Sequence, residues 1–322
     1  MAVLITGGAG FIGSSLAQRL LTQGQEVVIL DNFNDYYAPA VKRANIQRLQ
    51  PTTHLHLVEG DIRNPDDIER AFAVAPIKQV AHLAAMSGVR SSLNQSSVYV
   101  AVNTMGTVNL LEAAKQHQVD VFCMASTSSV YGATEVLPFT ETDTADRPLN
   151  AYAASKRSAE LLGYTYHHLH GLNITALRFF NVYGAAGRPD MMPMRLFRAS
   201  QDGSQITLFN NGDIARDWTF IDDTVDGIIS ALNKPLGYEV INVGMGSPVS
   251  MREFTDLIQE ITGSPINTIS SATPLTESPV TFCNNEKARD LLGFNPTTTV
   301  REGLDQTWAW YQKVVMGQIE GN

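Results

Sequence analysis

Tyr152 and Lys156 stand four residues apart in Tyr152-Ala153-Ala154-Ser155-Lys156, and on a helix that spacing turns a phenol and an ammonium toward the same cleft. Such a pair can work as a base. A phenol takes a proton near neutral pH only if its pKa falls from ~10 by on the order of 3 units, about 4 kcal/mol. One cation at ~4 Å in an effective dielectric of ~20 supplies about that much. The same spacing also occurs on ordinary solvated helix faces. Its weight here comes from two companions. One is a block of hydroxyls, Ser126-Thr127-Ser128-Ser129, at the end of the strand-like run 119–125; the other is a glycine-rich turn, Gly7-Gly8-Ala9-Gly10-Phe11-Ile12-Gly13, near the start of the chain.

That turn has to be positioned by a strand and a helix, and both are legible. Val3-Leu4-Ile5-Thr6 is a short apolar run that reads as a buried parallel strand, and Phe11, Ser15, Leu16, Arg19 and Leu20 follow with largely helical spacing. Gly7, Gly10 and Gly13 let the turn be tight, let the backbone approach a pyrophosphate and let the helix pack on the strand. Phe11 and Ile12 open that helix, whose amides and positive end favour an anion. A second strand, Glu26-Val27-Val28-Ile29-Leu30, ends in Asp31-Asn32, where an acid would meet the adenosine ribose. A carboxylate accepts from ribose hydroxyls and repels a ribose phosphate, which favours NAD over NADP. The plainer reading of Asp31 is a helix or turn cap.

Further along, Asp61-Ile62 after the strand 55–59 could meet the adenine amino group and ring, or simply form a turn. Beyond Leu83, Ala84 and Ala85 are small enough to let a cofactor pass closely, while His82 reads as a satisfied strand histidine. Asn103 lies at the centre of a helical segment, 91–115, and is one more candidate on the cofactor side; the segment's mixed face suits either core or a docking surface. Strands alternating with helices predict an α/β fold, a doubly wound parallel sheet of the Rossmann type whose ligands bind beyond the strands' carboxyl ends. Residues 1–180 read as the dinucleotide-binding domain, with a return segment at about 219–244 in which Glu239-Val240-Ile241-Asn242-Val243 rejoins the sheet. Residues 181–322 read as a smaller, interleaved substrate lobe.

A chain of 322 residues, 44% hydrophobic and 17% charged, can bury a large core. Its net charge of -9 and its lack of Lys/Arg runs argue against nucleic acid. No apolar stretch approaches membrane-spanning length, and the first strand begins at residue 2, leaving no room for a signal peptide. Cys123 and Cys283 lie in apolar, strand-like contexts and read as core thiols of a cytoplasmic protein. His167, His168 and His170 lack the spacing of a zinc site, and Asp222-Asp223 read as helix caps, so no metal is expected.

Thr6 to Gly13, Asp31, the block Ser126 to Gly132 and Tyr152-x-x-x-Lys156 together resemble the extended short-chain dehydrogenase/reductase superfamily, in its nucleotide-sugar epimerase and dehydratase branch. Arg178-Phe179-Phe180-Asn181-Val182-Tyr183-Gly184 and Arg216-Asp217-Trp218-Thr219-Phe220-Ile221-Asp222-Asp223 are similar to the branch's later signatures, so the resemblance covers nearly the whole chain. Asn34-Asp35-Tyr36-Tyr37, Gly88-Val89-Arg90 and above all Gly187-Arg188-Pro189-Asp190-Met191 resemble the UDP-glucuronate 4-epimerases within it.

The resemblance implies tightly held NAD, a UDP-sugar substrate and a homodimer built from two long helices. It implies conversion of UDP-glucuronate to UDP-galacturonate through a 4-keto intermediate, with Tyr152 as base, Lys156 as its cation and Thr127 as the hydroxyl beside it. Ser128, Ser129 and Asn181 would surround the sugar carboxylate, and Arg188 and Arg216 would face the charged parts of the nucleotide sugar. Phe209 is a candidate to stack on uridine, with core packing as its alternative. Two departures stand out: Asn181 replaces the usual Thr, as in UDP-glucose 4-epimerases, and near 274–279 only Glu277 can stand in for the family's acid. UDP-glucuronate decarboxylases carry Glu where Ser129 stands, and sugar 4,6-dehydratases carry Asp-Glu in place of Ser128-Ser129. Lacking those acids, proton shuttling at the sugar's C5 has no agent here. An NAD-binding regulator would keep Gly7 to Asp31 but would not need Tyr152, Lys156 and Thr127 together.

Overall fold

The computed structural model describes residues 1–49, 52–274 and 278–317. In chain order its strands are β1 (Ala2–Thr6), β2 (Glu26–Asp31), β3 (Leu55–Glu59), β4 (Ile77–His82), β5 (Val121–Thr127) and β6 (Ile174–Phe179). They continue as β7 (Asn181–Tyr183), β8 (Ile206–Phe209), β9 (Ala215–Phe220), β10 (Tyr238–Val243), β11 (Pro248–Ser250), β12 (Thr268–Ser271) and β13 (Val280–Thr281). Seven of them pair in parallel in the order β10-β6-β5-β4-β1-β2-β3. Apolar runs with no alternation form such strands because both faces of the sheet are covered. Along β1, Val3 and Ile5 join one core with Val27 and Ile29 of β2, while Ala2 and Leu4 join the other with Val28 and Leu30. Each such aliphatic side chain contributes about 1.5–3 kcal/mol when fully buried.

The helix Phe11–Thr22 covers the first face with Leu16 and Leu20; Pro65–Phe72 and Gly106–Gln116 cover the second with Ile68, Phe72, Leu110 and Leu111. The helix Ala151–His170 has both ends written in the sequence. The Asn150 side chain accepts from the Ala153 amide at 2.9 Å, and Gly171 at φ +70° supplies the left-handed residue that ends it. The segment 91–115 is not one regular helix: Val89–Ser92 stops, a new helix starts at Ser96, and Val100–Met105 forms a π turn before Gly106–Gln116. The wider turn carries Asn103 inward, and its amide takes up both backbone groups of Met86 at 2.8 and 2.9 Å.

Past β6 the chain builds a second layer on β9, which pairs with β7 and β13 in parallel and with β11 antiparallel; β8 and β12 form a separate parallel pair. Its aromatic packing includes Trp218 on Phe254 with centroids 4.2 Å apart and Trp308 on Phe197 at 5.3 Å. These residues belong to the same continuous core as Val3, Ile5 and Leu16, so the two lobes share one apolar interior. Asp222 and Asp223 lie in the first turn of the helix Ile221–Leu232 and do not cap it. Asp223 instead accepts from the amides of Thr297 and Thr298, both at 3.3 Å, tying the return segment to the C-terminal lobe. Cys123 and Cys283 are free and buried. Among the described residues no helix is long and apolar enough to cross a membrane.

Candidate active site

Two cavities open beyond the carboxyl ends of the parallel strands. The first, about 360 Å³, begins at the glycine turn, where Gly7, Gly10, Phe11, Ile12 and Gly13 line it. Gly7 sits at φ +69°, and a Cβ there would lie 2.8 Å from Ala84; a Cβ on Gly13 would lie 2.3 Å from the Gly7 carbonyl. Only bare backbone fits, which leaves the amides of the helix start facing the cavity, as a pyrophosphate requires. Asp31 at the tip of β2 lines the wall, its carboxylate accepting from the Ala9 and Phe33 amides at 3.1 and 2.8 Å. The carboxylate therefore both caps the turn and faces the place a ribose would occupy.

Lys42 is a residue the sequence reading missed. It is 5% exposed, its ammonium 3.7 Å from Asp31 and 3.0 Å from the Asn34 side-chain oxygen. Nothing in the sequence of its polar helix, Pro39–Arg48, marks it; only the fold brings it to β2. Asn32 donates to Asp61 at 2.8 Å, and Arg63 donates to the same carboxylate, which hydrogen bonds hold at a pKa of about 2 against the opposing effect of burial. Asp61, Ile62, Leu83, Ala84 and Ala85 all line this cavity. Its residues fit a dinucleotide. Asn103 does not line it: the side chain is 1% exposed and bonds Met86 and, at 2.9 Å, the Ser155 hydroxyl. Asn103 is thus an internal tie between the loop after β4 and the helix bearing Tyr152 and Lys156. His82 is satisfied by Thr6 and Thr107 at 2.8 and 2.9 Å, and burial followed by the charge of Lys156 brings its pKa down to about 3.

Tyr152, Lys156 and Thr127 meet at the inner end of the first cavity. Lys156 is 3% exposed and donates to the Ala125 carbonyl at 2.6 Å; burial brings its pKa down to about 8, with Glu160 opposing the fall. Burial pushes the Tyr152 phenol above its ordinary range, opposed by a hydrogen bond with Thr127 and then by the charge of Arg188. Lys156 thus reaches the end of β5 from the helix that carries Tyr152, and Arg188 adds a positive charge that favours the phenolate. Thr127 also accepts from the Ser129 amide at 3.2 Å and so starts the turn Ser128–Tyr131.

The second cavity, about 610 Å³, lies beside β8 and β9. Both cavities are walled by Tyr36, Ser128, Ser129, Asn181, Arg188 and Met191, so they meet at the hydroxyl block. Arg188 donates to Asp190 at 3.0 and 2.9 Å and to Ser87 at 2.7 Å, with its guanidinium 5.4 Å from the Tyr36 ring centre. Arg216 lines the cavity and donates to the Ala215 and Pro279 carbonyls. Phe209 forms part of the wall with the Arg90 guanidinium 5.1 Å from its ring centre. Arg90, seen in the sequence only within the Gly88-Val89-Arg90 motif, and Arg195, which no motif marks, complete the basic lining. Glu277 lies outside the described residues.

Residues 4–307 match the family model described as GDP-mannose 4,6 dehydratase. A UDP-glucuronate 4-epimerase of Thermodesulfobacterium geofontis is 41% identical over 308 residues, 95% of this chain and 95% of that protein. UDP-glucuronate 4-epimerase 3 of Arabidopsis thaliana is 38% identical over 96% of this chain and 76% of its own length. The crystal structure of UDP-glucuronic acid 4-epimerase from Bacillus cereus, in complex with UDP-glucuronic acid and NAD, superposes with a TM-score of 0.90 at 34% identity, covering 98% of this chain and 100% of that one. With the glycine turn, the Tyr152–Lys156 pair and the seven-stranded sheet in place, the chain belongs to the GDP-mannose 4,6 dehydratase family of extended short-chain dehydrogenase/reductases.

Proposed function

We propose that this protein is an NAD-dependent UDP-sugar 4-epimerase whose substrate is UDP-glucuronate. One observation carries the reading: a cavity fitted to a dinucleotide and a basic cavity share the hydroxyl block Ser128-Ser129, with Tyr152 and Thr127 beside it. NAD, held by the glycine turn, Asp31 and Lys42, supplies a reversible hydride acceptor for the sugar's C4. Tyr152 removes the proton from the 4-hydroxyl and returns it to the 4-keto sugar after the ring has turned over, while Thr127 bonds the same oxygen. Lys156 holds a positive charge at the inner end of the pocket. Ser128, Ser129 and Asn181 bind the carboxylate of the sugar in an orientation unsuited to loss of carbon dioxide. Arg90, Arg188, Arg195 and Arg216 line the basic cavity with one acid, Asp190, among its described residues. That balance suits an anion with a diphosphate at one end and a carboxylate at the other. Phe209 and Arg216 wall the nucleotide end. The hydroxyls at 128 and 129 offer no acid for dehydration, so the family's dehydratase name does not carry over.

A second reading, epimerisation of the neutral UDP-glucose, is supported by the amide of Asn181 at the meeting of the cavities. Incubating the purified protein with each nucleotide sugar and separating the products tests both. Conversion of UDP-glucuronate to UDP-galacturonate is the expected result; turnover of UDP-glucose alone selects the second reading, and a pentose or 6-deoxy product overturns both. The reading also includes a cytoplasmic homodimer. Val100 and Met105, at the two ends of the π turn, and Leu161 and Tyr164, on the helix Ala151–His170, are exposed large apolar residues that a second copy would cover.

A further inference from the structure

Glu160 continues the helix one turn past Lys156, so Tyr152, Lys156 and Glu160 form one stripe. It is 0% exposed, and both carboxylate oxygens are engaged. One accepts from the Ser126 hydroxyl at 2.5 Å and from Arg178 Nε at 2.9 Å; the other accepts from Arg178 and Arg157 at 2.9 and 2.8 Å. The Glu160 backbone carbonyl accepts from the Tyr238 hydroxyl at 2.8 Å. Arg178, 1% exposed, lies 4.7 Å from the Tyr131 ring centre, and Tyr131 donates to Asn242 at 2.6 Å. The helix is thereby tied to β5, β6 and β10 at the level of the reacting groups. A buried pair of this kind is a weak source of net stability, because desolvation offsets the attraction. Here Arg178 Nη1 is also left without an acceptor.

Where the ties land is informative. Ser126 immediately precedes Thr127, and Lys156 donates to the carbonyl of Ala125, the residue before Ser126. We propose that Glu160 is a positioning residue for the reaction: clamped by Arg178, its carboxylate fixes the end of β5 that presents Thr127 and keeps the Lys156 ammonium charged in a site that strips it of water. The proposal rests on Tyr152, Thr127 and Lys156 being the reacting set. Lys156 is faced by Glu160 from its own helix and by His82 from β4. Glu160 is faced by Arg157 and Lys156 from its own helix, Arg178 from β6 and Tyr238 from β10, and Tyr131, from the turn after β5, faces Arg178. Glu160 is the negative group acting on the ammonium, and it raises a pKa that burial has brought to about 8.

The test is the pH profile of kcat for the NAD-loaded enzyme with UDP-glucuronate. In Glu160→Gln the alkaline limb, where Lys156 loses its proton, moves down by about one pH unit, a tenfold loss on that limb, while KM changes by less than about threefold. If that variant does not fold, Glu160→Gln/Arg178→Met leaves neither charge buried alone and is measured in the same way. Ser126→Ala, which loses only the tie to β5, lowers kcat and leaves the limb in place. A limb that stays put in a folded Glu160 variant overturns the proposal even if kcat falls uniformly, and an unchanged kcat in Ser126→Ala overturns the fixing of β5. Full activity in Tyr152→Phe or Lys156→Met would instead mark failure of the underlying catalytic reading.

Discussion

Tyr152 sits where burial opposes ionisation while Thr127 and then Arg188 favour it, so its hydroxyl works as a base because of what surrounds it. Tyr152→Phe is expected to lower kcat by roughly 10²–10⁴, the usual contribution of a positioned proton acceptor, with NAD still bound; a product assay on the cofactor-loaded variant measures this. Lys156 shows the opposing demand of stability. Its pKa falls from 10.5 to about 8, so between those values the unfolded chain binds more protons and stability rises with pH; below about 8 the full penalty for burying the ammonium is present. That penalty is about 3 kcal/mol, less about 1 for the hydrogen bond to Ala125. Lys156→Met should therefore be inactive yet more stable by about 2 kcal/mol at pH 7, as judged by urea denaturation of cofactor-stripped proteins. The double variant Ser128→Ala/Ser129→Ala is expected to release a decarboxylated pentose product from UDP-glucuronate and to bind the substrate more weakly. Product analysis showing no pentose, together with unchanged affinity, would remove those hydroxyls from the carboxylate site. The meeting of Tyr152, Lys156, Thr127 and Asp31 in one cavity was legible because local spacing and strand ends set their positions. Lys42 and Arg195 were not, because their partners come from distant segments, and Arg90 was visible only as part of a motif, without its place in the wall.

At the scale of elements, the glycine turn is the least forgiving part of the chain. A methyl at Gly13 would lie 2.3 Å from the Gly7 carbonyl and 2.7 Å from Gly8, so Gly13→Ala must push the helix Phe11–Thr22 off β1. The expected outcome is a folded protein that loses bound NAD on purification, read from its absorbance ratio and from cofactor release on acid treatment. The strands were easy to find, since two-sided burial writes them as unbroken apolar runs such as Val27 to Leu30. The helical segment at 91–115 was harder: periodicity reports a face, whereas the π turn at Val100–Met105 depends on Asn103 finding Met86 across the chain. The hydroxyl block was visible as composition, but its place at the meeting of two cavities depends on β5 ending beside β6.

For the whole molecule, Leu161 is 53% exposed and Leu169 64% exposed on the helix Ala151–His170. For the proposed homodimer, Leu161→Lys is expected to give a monomer in light scattering, because it would place a charge in the face a second copy covers; an unchanged mass would place the subunit contact elsewhere. The sequence gives no means of seeing that Val3 and Trp308, near opposite ends of the chain, pack in one interior. The pairing of β10 with β6, register Ile241 to Leu177, has a further consequence for biosynthesis. A ribosome must deliver the whole excursion from Asn181 to Tyr238 before β6 acquires its outer neighbour. Until then a nascent chain carries an apolar strand with an open hydrogen-bonding edge, the kind of surface that chaperones retain and that other unfinished chains can capture.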